Sequence, residues 1–118
     1  MIPKAIGPYS ISRCVEGKKI YFISGQLGID PNTGQLEDGV ENQTRKAMEN
    51  IKAIVEDLGL GMNNIAKTTI FIVNSEDFAK VNEIYSKYFQ EPYPARTTVI
   101  VKALPKNALV EIESIAYL

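Results

Sequence analysis

The chain has 118 residues, a formal net charge of −1, 45% hydrophobic and 23% charged residues, one cysteine and no histidine. That length and balance describe a single domain, residues 1–118, with a genuine core, and exclude a disordered or internally disulfide-stapled chain. The missing histidine removes His-based triads and the commonest transition-metal ligand, and the lack of a basic stripe speaks against nucleic acid as the main partner.

Ile11–Val15 and Ile20–Ser24 are β-branched or aromatic runs flanking Glu16-Gly17-Lys18-Lys19, which reads as a hairpin turn. Asp30-Pro31-Asn32-Thr33-Gly34 is a second turn, with Pro to open it and Gly to close it. The clearest helix runs from about Gly39 to Leu58, with Val40, Thr44, Ala47, Met48, Ile51, Ile54, Val55 and Leu58 on one face. Asp38 and Glu41 have the spacing of a capping box, and Gly59 is a natural stop.

Lys67–Val73 reads as a strand covered on both faces near its end. Ser75 is expected to cap a second helix, about Glu76 to Phe89, striped by Phe78, Val81, Ile84, Tyr85 and Tyr88 and ended by Pro92 and Pro94. Two strands follow, Arg96 to about Lys102 and Leu109–Tyr117, joined through Leu104-Pro105-Lys106-Asn107. The order ββ(β)αβαββ implies an α+β fold: a mostly antiparallel sheet with two helices on one face. No apolar run approaches the ~18–20 residues that span a membrane. Met1-Ile2-Pro3-Lys4 opens no signal-peptide core, so a cytoplasmic protein is expected.

The last strand alternates. Val110, Ile112, Ser114 and Ala116 suit the floor under the helices, while Leu109, Glu111, Glu113, Ile115 and Tyr117 face away. The second set fits a subunit interface that also lines a polar pocket, or a partly wet face with solvated glutamates. Arg96 follows Tyr93-Pro94-Ala95 at the entry to a strand, and its planar fork suits a small carboxylate. Taken alone, such an arginine more often pairs with a surface acid. Glu111 could orient or deprotonate a water, with Glu113 competing from the same face. Gly7-Pro8-Tyr9-Ser10 and Ser24-Gly25-Gln26 are glycine turns through which backbone can approach a ligand. Cys14, on a strand, and Lys106, in an exposed turn, read as structural. No phosphate loop, dinucleotide fingerprint or metal-ligand set occurs, so no cofactor is expected.

Gly7-Pro8-Tyr9-Ser10, Ser24-Gly25-Gln26, Gln43-Thr44-Arg45, Lys67-Thr68-Thr69, Val81-Asn82-Glu83, Pro94-Ala95-Arg96-Thr97, Leu104-Pro105-Lys106 and Val110-Glu111-Ile112-Glu113 occur in the order seen in the RidA (YjgF-type) deaminases. The chain resembles that family over nearly its whole length. The resemblance implies a chorismate-mutase-like fold of the bacillus type, a homotrimer with clefts between subunits, and hydrolysis of 2-imino acids to 2-keto acids and ammonia. It implies that Arg96 holds the substrate carboxylate and that Glu111 positions the attacking water. Tyr9, Ser24, Gly25, Asn82 and Thr98 would line the cleft, with threonine at 98 where many members have cysteine. A trimer that binds small keto acids or amino acids without turnover is the other reading.

Overall fold

The computed structural model describes residues 1–118. The strongest periodicity in the sequence becomes helix α1, Gly39–Asp57, which buries Val40, Gln43, Thr44, Ala47, Met48, Ile51 and Val55. Its end is a Schellman turn: Gly59 takes φ 80°, its N–H donates to Glu56 O, and the Leu60 N–H donates to Val55 O at 2.8 Å. Its start differs from expectation. Asp38 makes no side-chain cap, so the capping box with Glu41 does not form. Gly39, at φ 78°, swings the chain into the helix and leaves the Asp38 carboxylate in solvent.

Four strands form one sheet: β1 Ile20–Leu27, β2 Ile65–Ile72, β3 Ala95–Ile100 and β4 Val110–Tyr117, in the order β1-β4-β2-β3. β4 runs antiparallel to both neighbours, and β2 runs parallel to β3. The connection between those parallel strands carries helix α2, Phe78–Ser86. The mixed α+β fold with both helices on one face is as expected. Ile23, Ile70, Ile72, Val110, Ile112, Ser114 and Ala116 are buried beneath the helices. α2 packs on α1 and reaches the sheet through a bond between the Tyr85 and Thr68 hydroxyls. It is shorter than the sequence suggested, and Ser75 opens a 3-10 turn, Ser75–Asp77, in which no side chain caps.

The expected hairpin over 11–24 is absent, and Cys14 lies outside any strand. Ser10 bridges Ala95 at the β3 edge, while β1 lies at the opposite edge. The intervening residues must therefore cross four strand spacings, about 19 Å, and are not free to pair with β1. The Lys18 and Lys19 N–H groups instead donate to Leu118 O at 2.6 and 3.1 Å. The 30–34 turn forms as read. The Asn32 N–H donates to Asp30 Oδ1 at 2.8 Å, and Gly34 takes φ 73°.

The face opposite the helices carries no layer of its own. Phe22 is 78% exposed and Ile20 65%, while Phe71, Ile115 and Tyr117 are half-buried. The expectation that both faces of β2 are covered near its end is therefore met only in part within a single chain, where Ile70 and Ile72 are buried and Phe71 is half-buried.

On the covered face the packing is tight. A Cβ on Gly28 would fall inside the Gln43 backbone. Gln43 cannot give way, because its amide donates to Glu37 O at 3.0 Å and accepts from the Leu109 N–H at 2.8 Å. Gly28→Ala is expected to destabilise the fold by about 2–3 kcal/mol, through overpacking. A fall in the urea midpoint at unchanged slope is the check.

Candidate functional site

The entry to β3 is held by the segment that carries Tyr9. The Ser10 N–H donates to Pro94 O at 3.0 Å and the Ser10 hydroxyl donates to Tyr93 O. This places the Tyr9 ring against the first turn of side chains on β3. The Arg96 guanidinium carbon lies 5.2 Å from the ring centres of both Tyr9 and Tyr85 and 5.9 Å from that of Phe78. Arg96 Nη1 donates to Asn82 Oδ1 at 2.7 Å. A cation enclosed by aromatic faces is held by their quadrupoles. Burial lowers its pKa from the usual arginine value, opposed by Tyr85 and Tyr9. It stays charged nonetheless, since guanidinium does not deprotonate in proteins. Its hydrogen-bond partner is a neutral amide, so the positive charge is fixed in place without being neutralised.

Ile6, Tyr9, Phe78, Arg96 and Thr98 line a cleft of about 170 Å³. That is below the 300–1,000 Å³ typical of drug-sized ligand sites and suits a small acid. Thr98 Oγ1 is buried and has no hydrogen-bond partner within the chain. Behind Arg96, the Tyr85 hydroxyl is 2.7 Å from Thr68 Oγ1, and Thr68 pairs with Arg96 across the parallel ladder. Phe78 and Tyr85 belong to the apolar stripe that the sequence predicts for the second helix. Their 3.6-residue spacing is that of a core, and nothing in it distinguishes a ring that also faces a guanidinium.

Burial pushes the Tyr85 phenol up to about 12, against a lowering hydrogen bond from Thr68. Tyr88 is also raised to about 12, by burial and then by its bond to Glu49. Both folded values lie above the ordinary phenol value. Their contribution to stability is therefore complete below about pH 10 and is lost as pH rises through about 12. In an ultraviolet phenolate titration these two should ionise above the ordinary phenol value, and Tyr85→Phe and Tyr88→Phe should each remove one late equivalent.

Glu111 does not face this cleft. Arg96 pairs with Thr68, which pairs with Ser114 on the helix-covered face, whereas Glu111 pairs with Phe71 on the bare face. Within one chain the two residues lie on opposite sides of the sheet. Glu111 has other company. The β1–β4 register shifts between Ile23 and Gln26, leaving Ser24 and Gly25 in a bulge. The Glu111 carboxylate occupies the space where a Gly25 Cβ would stand. Glu113 lies on the same face and is more exposed. The residues singled out from sequence thus form two groups. Tyr9, Asn82, Arg96 and Thr98 stand together, and Ser24, Gly25 and Glu111 stand together elsewhere. No set of three or more Cys, Asp or Glu residues gathers to hold a metal ion.

Residues 2–118 match the family model described as Endoribonuclease L-PSP. A RutC family protein of Pyrococcus horikoshii is 48% identical over 116 residues, covering 98% of this chain and 90% of that protein. The 2-iminobutanoate/2-iminopropanoate deaminase of Mus musculus is 45% identical over 115 residues, covering 97% of this chain and 84% of that protein. The crystal structure of RidA from an Antarctic Psychrobacter superposes with a TM-score of 0.83 at 45% identity, covering 98% of this chain and 93% of that one. A match across the full domain in both sequence and fold has one meaning: the chain belongs to the Endoribonuclease L-PSP family, that of the RidA and YjgF proteins.

Proposed function

We propose that the protein hydrolyses small 2-imino acids such as 2-iminobutanoate and 2-iminopropanoate, enamine tautomers included, to 2-keto acids and ammonia. In this reading it works without a cofactor, as a cytoplasmic homotrimer. The observation that carries the reading is the Arg96 guanidinium, half-buried among three aromatic rings and hydrogen-bonded only to a neutral amide at 2.7 Å. Such a group gains most from an anion that arrives with its own charge. The murine relative, a 2-iminobutanoate/2-iminopropanoate deaminase, supplies the matching substrate class.

The chemistry needs little more. A protonated C=N carbon is already electrophilic. Arg96 anchors the carboxylate and the cleft fixes the carbon. Glu111 of the partner subunit takes a proton from water as oxygen bonds to that carbon. The tetrahedral carbinolamine gains a proton on nitrogen, the C–N bond breaks with its electron pair leaving on ammonia, and loss of the hydroxyl proton gives the ketone. The endoribonuclease of the family description finds no support in this chain, which has no histidine and a net charge of −1.

The test couples the protein to a pyridoxal-phosphate dehydratase that releases 2-iminobutanoate, with semicarbazide trapping the free imine. The expected result is less semicarbazone and faster 2-ketobutyrate formation. No acceleration at any protein concentration, with 2-ketobutyrate still binding in calorimetry, would leave a binding protein in place of an enzyme.

A further inference from the structure

The largest hollow in the molecule shares no lining residue with the Arg96 cleft. It measures about 550 Å³ and lies where Ile65 opens β2, Pro94 precedes β3 and Tyr117 ends β4. Two cations line it, Arg13 and Lys87, against one acid, Glu91. The Nε of Arg13 is buried and has no hydrogen-bond partner in the chain, while its Nη1 donates to Cys14 O at 2.7 Å.

A buried donor without a partner is costly and calls for an explanation. A guanidinium grips a carboxylate through two N–H groups along one edge. With Nη1 committed to a backbone carbonyl, the edge left is the one formed by Nε and Nη2. Met62, Tyr117 and Tyr88 give the hollow apolar or aromatic walls, beside the polar Asn63 and Gln90. The Tyr88 hydroxyl is occupied by Glu49, to which it donates at 2.6 Å, so its ring is what it can offer to the hollow.

We infer that this hollow is a second binding site, for a small organic carboxylate with an apolar body. Arg13 would hold the carboxylate edge-on, Lys87 would add charge, and the tyrosine rings and Met62 would cover the body. A bare inorganic anion would use the cations and leave those walls wet. This inference is independent of imine hydrolysis.

The experiment is a nitrogen-15 NMR titration of the whole protein, reading the Arg13 Nε–H and the amides of residues 87–91, with benzoate and inorganic phosphate as probes. Benzoate should shift those signals saturably at or below about 10 mM, tighter than phosphate. Arg13→Gln should weaken benzoate at least tenfold at these signals, and Arg96→Ala should leave them unchanged. If Arg13→Gln does not give a folded spectrum, Lys87→Gln takes its place with a several-fold loss expected. No saturable shift at Arg13, a benzoate response equal in both variants, or phosphate binding as tightly as benzoate would each overturn the assignment.

Discussion

Arg96→Ala is expected to lower kcat/KM for 2-iminobutanoate by roughly 10²–10³, because a desolvated charge-assisted contact is worth about 2–5 kcal/mol. Arg96→Lys should restore little of it. The ammonium carries the charge but neither the two-pronged geometry nor the flat face that lies 5.2 Å from Tyr9 and from Tyr85. Arg96→Met separates function from folding: it keeps most of the stem, removes a half-buried charge, and should leave stability within about 1 kcal/mol of wild type while activity falls as in Arg96→Ala. Asn82→Ala should be milder, about tenfold, since its amide orients the guanidinium through one 2.7 Å bond. Steady-state kinetics beside urea denaturation reads all four. An Arg96→Met that keeps full activity would remove the arginine from the mechanism.

What the sequence could and could not reveal divides along the range of the interactions. Helix α1 was legible because its apolar face repeats without interruption and Gly59 stops it locally. The β4 face was legible because alternation is a property of one strand, and Val110, Ile112, Ser114 and Ala116 are indeed buried. The hairpin over 11–24 was misread because the Glu16-Gly17 turn signal is local, whereas Ser10 to Ala95 and Lys18 to Leu118 are partners more than eighty residues apart that decide the path. The capping box failed for a similar reason. A spacing of three residues does not show that Gly39 takes a positive φ.

The grouping of Arg96 with Tyr9 and Asn82 followed from motif order, and the structure brings those three together. The orientation of Glu111 did not follow. Whether residues on β3 and β4 share a face depends on the register each makes with β2, which lies between them. Arg96 aligns through Thr68 with Ser114, three residues from Glu111, and an odd offset puts the two on opposite sides. No reading of either strand alone contains that parity.

The same parity yields a sharp expectation for mixed assemblies. If catalysis needs both Arg96 and Glu111, one sheet cannot offer both to one small substrate, and a neighbouring copy must supply the second group. The bare face that bears Glu111 also bears Phe22, 78% exposed, and Ile20, 65% exposed, which gives a second copy apolar surface to cover. Arg96→Ala and Glu111→Gln homo-oligomers should each lose at least 10²-fold in activity. Co-expressed in equal amounts, they should recover about a quarter of wild-type activity. In a closed symmetric ring each site takes Arg96 from one subunit and Glu111 from the next, and random mixing pairs two intact groups at about one site in four, whatever the ring size. Sites built within one chain would instead stay inactive in every mixture, because every chain carries one of the two lesions. A mixture no more active than its parents, in oligomers shown by mass to be mixed, would place both groups in one subunit or remove Glu111 from the chemistry.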